Sequence, residues 1–366
     1  MSQTLPPLKI GKHLARYPIV QGGMAVKVSG ANLAGAVANA GGMGIISSAA
    51  LGFKSPYFKK VSFFEANRLA LIDQLQKART ISPNGIIGVN VLVATKDYLT
   101  LARTAAENGA DLIVAGAGLP LTLPESTADY PDVALVPVVS SLQAAQTICQ
   151  TWEKEYHRLP DAFVVENVKS IGGHLGAKTE EIYQQHYAIE YLIPALQDYL
   201  RDRLGKTIPL IATGGIWDRS DIDQMLALGA SGVQIGTRFI TTVECDADIR
   251  YKEFHLNARP EDVVIVPSPV GKPGRAIRNV FSERAIAGSS ELEKRCVANC
   301  LQFCLCRDAR ETYCLLQALA NASSGNLEHG LIFSGDKVGR AGRIIPVAEL
   351  MAELINAQES LESHDG

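Results

Sequence analysis

Eight short apolar runs, separated by helix-like segments, constrain the fold of this chain more than any other feature. Each run is rich in β-branched residues or ends in Gly, Asn or Pro, and nearly every position is apolar, as in parallel strands buried on both faces. The runs are PIVQG from residue 18, MGIIS from 43, IIGVN from 86, DLIVAG from 111, ALVPVV from 134, AFVVE from 162, PLIAT from 209 and GVQIG from 232. Eight strands alternating with helices predict an α/β fold, a TIM (β/α)8 barrel, with an open doubly wound sheet as the alternative.

The alternation ends near residue 240, where longer polar segments, a Cys-rich stretch and a last helix, PVAELMAELINA, follow. We predict a barrel core over residues 1–245 and an inserted helical and Cys-rich segment over 246–322. A C-terminal loop and helix over 323–366 would return to the barrel. We expect these additions to belong to the barrel rather than to form an independent domain.

Charge and composition exclude several classes of function. The chain has 35 Lys and Arg against 38 Asp and Glu, so it lacks the basic surplus that nucleic-acid binding needs. We find neither an apolar run of the roughly 18 residues that a membrane span requires nor a signal-peptide core. Seven cysteines, an odd number, then indicate reduced thiols. We therefore expect a cytoplasmic protein with neither a nucleic-acid nor a membrane partner.

Two glycine loops follow the seventh and eighth predicted strands, where TIM barrels commonly bind phosphate. Gly214 and Gly215 end strand seven, and Gly236 and Thr237 end strand eight. Backbone N–H groups without a neighbouring Cβ, together with the Thr hydroxyl, can surround an anion at a helix N-terminus. We predict a phosphate site here; the alternative is that these glycines only form tight turns.

A second pair of loops is suited to a planar cofactor. Gly22, Gly23 and Met24 end the first strand, and Asn90 ends the third. A ring lying across the barrel mouth needs backbone close to it, and an amide that can donate and accept at its edge. The alternative for Asn90 is an ordinary strand-end residue. The GGMG at 41–44 precedes a strand instead of following one, so we reject a Rossmann dinucleotide site.

One histidine stands out by its position. His174 lies in the glycine-rich loop VVENVKSIGGHLGAK after the sixth strand, at the predicted catalytic rim. Because imidazole titrates near neutral pH, we predict a proton donor, a proton acceptor or a hydrogen-bond partner of substrate. A structural or solvated histidine is the alternative. The chain contains neither G-x-S-x-G nor H-E-x-x-H, so the corresponding hydrolase chemistries gain no support.

Taken together, these motifs resemble those of the nitronate monooxygenase family, formerly called the 2-nitropropane dioxygenases, and of the related flavin-type enoyl-acyl-carrier-protein reductases. The matching pieces are PIVQGGM, GGMGIIS, GVN at 88–90, GGHLG at 172–176, ATGGI at 212–216 and GVQIGTRF at 232–239. Their ordered combination is specific, although each piece alone is weak. The resemblance covers residues 18–355 and implies a TIM barrel that binds FMN.

The resemblance also implies which residues form the site. His174 matches the active-site histidine of the family. The residues whose positions match cofactor-binding positions are Gly22, Gly23, Met24, Asn90, Glu166, Gly173, Gly214, Gly215, Gln234, Gly236, Thr237, Ser334 and Gly335. The first three of these would line the flavin ring, Asn90 would hydrogen-bond to it, and Gly215, Gly236 and Thr237 would hold the phosphate.

The segment before the histidine departs from the family pattern. Relatives carry E-G-x-x-A-G-G-H, whereas here Glu166 is followed by Asn167 and lies further from the histidine. Either the acid lies one register early, or Asn167 takes its place. Lys169, in the same loop, would favour an anionic substrate or would be an ordinary solvated lysine.

Five of the seven cysteines lie between residues 296 and 314, a stretch that resembles the Cys-rich tail of one subgroup of the family. Cys300, Cys304, Cys306 and Cys314 are candidate ligands for zinc or an iron–sulfur cluster, but their spacing matches neither pattern well. We expect reduced structural cysteines, with metal binding as the alternative. In the preceding SPVGKPGRAIRN, the arginines would contact an acyl-carrier or nucleotide phosphate, or lie on the surface.

The resemblance implies an FMN-dependent oxidoreductase, and we expect a nitronate monooxygenase that oxidises alkyl nitronates with O2 to carbonyl compounds and nitrite. The alternative is an NAD(P)H-dependent flavin oxidoreductase of the enoyl-acyl-carrier-protein reductase type, with an acyl-carrier protein as its partner. A non-catalytic flavin- or phosphate-binding protein is the alternative from another class. A homodimer remains open in each case.

Overall fold

The computed structural model describes residues 4–356, so the outermost parts of two predicted segments, 1–3 and 357–366, lie outside the described residues. The strands are β1 (Leu8–Ile10), β2 (His13–Ala15), β3 (Ile19–Gln21), β4 (Met43–Ser47), β5 (Ile86–Leu92), β6 (Leu112–Gly116), β7 (Ala134–Val139), β8 (Phe163–Glu166), β9 (Gly173–His174), β10 (Leu210–Thr213), β11 (Gly232–Ile235), β12 (Val263–Val266) and β13 (Gly274–Ile277). The helices are α1 (Ala31–Asn39), α2 (Phe63–Ile81), α3 (Tyr98–Glu107), α4 (Leu123–Ser126), α5 (Leu142–Tyr156), α6 (Ile189–Leu204), α7 (Arg219–Ala227), α8 (Thr237–Ile240), α9 (Ile249–Asn257), α10 (Val280–Ile286), α11 (Leu305–Asp308), α12 (Leu315–Ser323) and α13 (Val347–Ile355).

Eight parallel strands close into a barrel in the order β3, β4, β5, β6, β7, β8, β10, β11, and β11 pairs with β3 to complete the ring. Each of the eight predicted apolar runs forms one of these strands. The closed ring confirms the predicted TIM barrel and excludes the open sheet.

The barrel strands are apolar at nearly every position because both of their faces are buried. Within β4, Ile45 packs in the barrel interior, whereas Ile46 packs in the layer between strands and helices. The hairpin of β1 and β2 adds Leu8 and Ile10 to the interior cluster. Leu8 lies against Gly232, the first residue of β11, so the hairpin covers the end of the barrel where the strands begin. The opposite end remains available for a site.

One predicted helix is shorter in the structure than in the sequence pattern. The helix-like stretch 179–204 contains two short 3-10 turns before α6 begins at Ile189. Pro194 lies inside α6, where its ring lacks the N–H of an interior helix residue and crowds the preceding turn. Starting at Ile189 leaves Pro194 in the second turn of α6.

A small antiparallel sheet covers the end of the barrel where the strands finish. Its central strand β13 pairs with β12 on one side and with β9, the strand in the loop after β8, on the other. Further along the chain, Val347, Leu350 and Met351 of α13 join the layer of residues between the barrel strands and helices. The three-part division of the chain itself stays a prediction. None of the helices within residues 4–356 combines the length and the apolar character needed to cross a membrane.

Candidate active site

A cavity of about 720 Å³ lies at the carboxyl ends of the barrel strands. It brings together the whole set of residues that the sequence singled out for catalysis or cofactor binding. The set consists of His174, Gly22, Gly23, Met24, Asn90, Glu166, Gly173, Gly214, Gly215, Gln234, Gly236, Thr237, Ser334 and Gly335. The structure therefore places these residues around one space, and their individual roles remain predictions.

Gly23 is required by a protein contact. A Cβ at this position would lie 2.4 Å from the Asn90 Cβ, too close for any side chain. The sequence predicts that this glycine faces a cofactor ring, whereas in the structure Asn90 occupies the space. A Cβ on Gly22, by contrast, would make only an ordinary contact, 3.5 Å from Gln234. The Asn90 side chain donates to the Val114 carbonyl oxygen at 3.3 Å, which orients it at the cavity wall.

The glycine loops at the other side of the cavity pack against one another. Gly214 and Gly215 have φ values of +96° and +75°, which favour glycine. The backbone N–H of Gly335 donates to the Thr237 hydroxyl oxygen at 2.9 Å, joining the late loop to the end of β11. A Cβ on Gly172 would lie 2.4 Å from the Ser334 carbonyl carbon. The loops thus need glycine in order to lie this close together.

The helix N-terminus expected beside these loops is weaker than the sequence suggested. The helix α8 has four residues, and α7 begins only at Arg219, beyond the glycines of the preceding loop. Because a helix dipole sums over aligned peptide units, so short a helix contributes little of it. An anion here would be bound mainly by loop N–H groups and the Thr237 hydroxyl.

Three buried side-chain oxygens around the cavity have no hydrogen-bond partner among residues 4–356: Gln234 Oε1, Asn167 Oδ1 and Asp336 Oδ1. Gln234 and Asp336 line the cavity, and Asn167 packs against Gly214 behind the glycine loops. Because unpartnered buried oxygens are rare and costly, this end of the cavity fits a ligand that carries hydrogen-bond donors. Of the three, only Gln234 was a predicted site residue.

His174 is held by a segment distant in the sequence. It lies in β9 opposite Gly274 of β13, and its Nε2 lies 2.7 Å from the hydroxyl of the buried Ser268. The Phe333 ring packs edge-on against the imidazole, with centroids 5.1 Å apart. Burial lowers the pKa of His174 to about 4, so the ring is neutral at pH 7. No sequence pattern marks Ser268, because a lone serine in a loop is unremarkable.

The loop that leads to His174 is fixed by Arg275 of β13. Its guanidinium is buried and donates to the carbonyl oxygens of Val168 and Ile171. Arg275 is therefore not a surface arginine, and it lies outside the cavity lining. Its contact with a phosphate stays a prediction. Arg278, two positions after the buried Ala276, is exposed and lies 3.8 Å from Glu283.

Glu166 provides a carboxyl group at the end of β8. It pairs with Thr213 of β10 in the barrel and lines the cavity. Burial raises the pKa of Glu166 to about 7, because the charged form loses its hydration. This carboxyl group therefore changes charge near neutral pH, which its expected role as a cofactor-binding residue did not anticipate.

The four cysteines considered as metal ligands pack among apolar residues. Cys300, Cys304, Cys306 and Cys314 belong to the cluster that contains Leu301 and Leu316, and only Cys300 of the four lines the cavity. Burial raises the pKa of Cys300 and Cys306 to about 12, which favours the protonated thiols. In the described part of the chain, no three His, Cys, Asp or Glu side chains converge to hold a metal ion, so the metal alternative finds no site.

The comparisons with known proteins agree with this geometry. The sequence model of the family described as nitronate monooxygenase matches residues 6–357. A probable nitronate monooxygenase of Staphylococcus saprophyticus is 25% identical over 344 residues, which cover 87% of this chain and 88% of the relative. A (3aS,4S,5R,7aS)-5-hydroxy-7a-methyl-1-oxo-octahydro-1H-indene-4-carboxyl-CoA dehydrogenase of Mycobacterium tuberculosis is 28% identical over 281 residues, which cover 75% of this chain and 66% of the relative.

Two solved structures extend the comparison. FabK from Thermotoga maritima superposes with a TM-score of 0.71 at 26% identity, covering 93% of this chain and 92% of that chain. A nitroalkane oxidase from Streptomyces ansochromogenes shares the fold, with a TM-score of 0.68 at 19% identity over 93% of this chain and 95% of that chain. The chain belongs to the nitronate monooxygenase family, and it is a flavin-dependent oxidoreductase.

Proposed function

We propose that the protein is an FMN-dependent nitronate monooxygenase, which oxidises alkyl nitronates with O2 to carbonyl compounds and nitrite. The observation that carries the proposal is the convergence of the glycine loops, the unpartnered Gln234 oxygen and the neutral His174 on one cavity. A family model that spans nearly the whole chain supports the same reaction class.

The residues around the cavity fit FMN. The backbone of Gly22 to Met24 and the oriented Asn90 amide suit the edge of a planar ring. The loops at Gly215, Gly236 and Gly335 suit the phosphate, and the unpartnered oxygen of Gln234, which lies against Gly22, suits a hydrogen-bond donor of the ring. When bound, FMN supplies the electron acceptor and the reactivity towards O2.

The protein's own part in the reaction is to bind and orient the substrate. His174, neutral at pH 7, can donate one hydrogen bond without adding charge. If Ser268 donates to Nε2, the ring proton lies on Nδ1 and is available to an oxygen of the nitronate. The protonated form of Glu166 adds no negative charge beside an anionic substrate, whereas its ionised form would repel one.

Anaerobic stopped-flow absorbance of the flavin-loaded protein tests the proposal. The protein is mixed separately with an alkyl nitronate, NADH and NADPH. Bleaching of the flavin by the nitronate, without bleaching by either nicotinamide, is the expected result. A protein that shows no flavin spectrum after FMN is added would contradict the proposal.

The second candidate is an NAD(P)H-dependent reductase of acyl thioesters, with an acyl-carrier protein as partner. Two observations favour it: one side of the cavity is lined by apolar residues such as Leu316 and Leu319, and FabK from Thermotoga maritima has a similar fold. In the same stopped-flow experiment it predicts rapid bleaching by NADH or NADPH and reoxidation by an enoyl thioester.

A further inference from the structure

The cavity extends beyond the glycine loops to a second group of residues. Val26, Phe63, Leu301, Leu316 and Leu319 line it, and the same five residues pack in one apolar cluster. We refer to the part of the cavity that these five residues border as the apolar chamber. It lies outside the set of residues that suit FMN.

The wall of the apolar chamber is fixed to the barrel. Leu301 follows Cys300 in the Cys-rich segment, whose backbone bonds to the loop after β5: Lys96 N–H donates to the Cys300 carbonyl oxygen at 2.9 Å, and Gln302 N–H donates to that of Ala94 at 2.9 Å. The Gln302 side chain also donates to the Val93 carbonyl oxygen at 2.8 Å. Because these bonds tie the wall down on both sides of Leu301, the chamber is formed before any substrate arrives.

The chamber offers its occupant apolar contact instead of hydrogen bonds. The nearby Asn67 also lines the cavity, but its amide is already occupied, accepting from Gly52 N–H and donating to Asp97, both at 2.9 Å. The unpartnered oxygens of Gln234 and Asp336 lie with the glycine loops instead. A polar group packed against the five apolar side chains would therefore lose its hydration without gaining a hydrogen-bond partner from them.

We propose that the apolar chamber binds an alkyl chain of the substrate, so that the enzyme prefers medium-chain substrates to the shortest nitroalkanes. The identity of the reacting group rests on the proposed function. An alkyl chain is common to a long alkyl nitronate and to an acyl thioester, and the chamber would hold it in either case. Leu316 and Leu319, both on α12, then set the longest chain that fits.

Binding of unreactive chains tests the inference without turnover. Acetate, hexanoate and decanoate are planar anions that resemble the nitronate group, and their binding to the flavin-loaded protein is followed by the shift of flavin absorbance. Burying each methylene is expected to lower Kd roughly fourfold until the chamber is full. Equal Kd values for the three acids would overturn the inference.

A pair of variants tests whether the alkyl chain binds in the apolar chamber. Leu316→Trp fills the chamber and is expected to reduce the ratio of acetate Kd to decanoate Kd at least tenfold. Leu14→Trp, at a residue 62% exposed on the hairpin at the far end of the barrel, is the matched control and should keep the ratio. If Leu316→Trp fails to bind flavin, Leu319→Ala is measured, and it should extend the chain length at which Kd stops falling. An unchanged ratio in a folded variant would refute the assignment to this chamber.

Turnover measurements distinguish the two kinds of substrate that could carry the alkyl chain. Octyl nitronate and an octenoyl pantetheine thioester are compared in the stopped-flow experiment, the latter with NADPH. If neither octyl nitronate nor a shorter nitronate is oxidised, the proposed function fails, while chain-length-dependent binding of carboxylates still upholds the chamber. If nitronates of all lengths are oxidised with equal kcat/KM and the carboxylates bind equally, the proposed function stands and the chamber is refuted.

Discussion

His174 and Glu166 line the same cavity, and burial shifts their pKa values in opposite directions. The pKa of the histidine is lowered to about 4, and the pKa of the glutamate is raised to about 7. The sequence predicts near-neutral titration for the imidazole, whereas in the structure the carboxyl group has the pKa near neutral. Burial disfavours the charged form of both groups, so it is the cause of both shifts.

Ser268 is expected to act through His174. Removing its hydroxyl with Ser268→Ala breaks the 2.7 Å hydrogen bond and frees the ring to adopt either tautomer. Because a neutral hydrogen bond contributes about 1 kcal/mol, turnover should fall roughly fivefold, with flavin content unchanged. Ser268→Thr, which keeps a hydroxyl, should restore most of it. Wild-type turnover in Ser268→Ala would exclude this positioning role. His174→Ala serves as the reference, and its turnover should fall roughly 10²-fold.

Glu166 is expected to make anion binding dependent on pH. Its pKa of about 7 leaves it mostly protonated at pH 6 and mostly ionised at pH 8. If only the protonated form admits an anion, hexanoate should bind roughly tenfold more weakly at pH 8 than at pH 6. Glu166→Gln should bind hexanoate equally at both values, as measured by flavin absorbance. The same dependence in Glu166→Gln and in wild type would assign the titration to another group.

At the scale of secondary-structure elements, the site is built where strands from distant parts of the chain meet. The loop after β8 carries His174, and β12 and β13 bring Ser268 and Arg275 to it. The end of β3 meets β5 at the contact between Gly23 and Asn90. Each of these contacts joins two elements that are distant in the sequence. Substitutions at the contacts should therefore affect the whole site.

The contact between Gly23 and Asn90 can be tested by comparing two glycine substitutions. Gly23→Ala places a Cβ 2.4 Å from the Asn90 Cβ, so one of the two loops must move, and flavin should be lost on purification. Gly342→Ala is the control, because a Cβ there would meet no atom within 4 Å and the residue lies outside the cavity lining, so flavin should be retained. The flavin-to-protein absorbance ratio measures both. Full flavin content in Gly23→Ala would show that the loops tolerate the shift.

Arg275 is expected to stabilise the loop before His174. Arg275→Met leaves the carbonyl oxygens of Val168 and Ile171 without this donor, at a cost of about 2 kcal/mol or more in the free energy of unfolding. Arg278→Met, on the exposed neighbour, should change stability by less than about 0.5 kcal/mol. Urea denaturation compares the two. Equal stabilities would mean that water replaces the guanidinium at these carbonyl groups.

At the scale of the whole molecule, the sequence predicts the barrel and the position of the site well. Parallel strands are buried on both faces, so each one leaves a continuous apolar run, and the glycine motifs after them lie on the cavity. Ser268 and Arg275 could not be assigned, because their roles depend on how β13 docks against β9. Asp336 could not be assigned from the sequence either, because its unpartnered oxygen is visible only in the folded chain.

The alternative functions can also be compared at the scale of the whole molecule. The chain is similar to proteins whose names describe a nitronate monooxygenase, a carboxyl-CoA dehydrogenase and FabK. Fold alone therefore does not select the substrate, and the residues that border the cavity must do so. The FMN-binding roles of individual residues stay predictions, and the sequence left the oligomeric state open.

The pairing of β9 with β13 limits how this enzyme can diverge. A β ladder alternates its side chains, so a slip of one residue would turn His174 to the opposite face and away from Ser268. Substitutions along Gly274–Ile277 leave this register intact, whereas insertions and deletions there do not. We expect descendants of this protein to inherit the length of β13 almost unchanged, together with Arg275 and with Gly274, where a Cβ would lie 2.8 Å from the Phe333 ring.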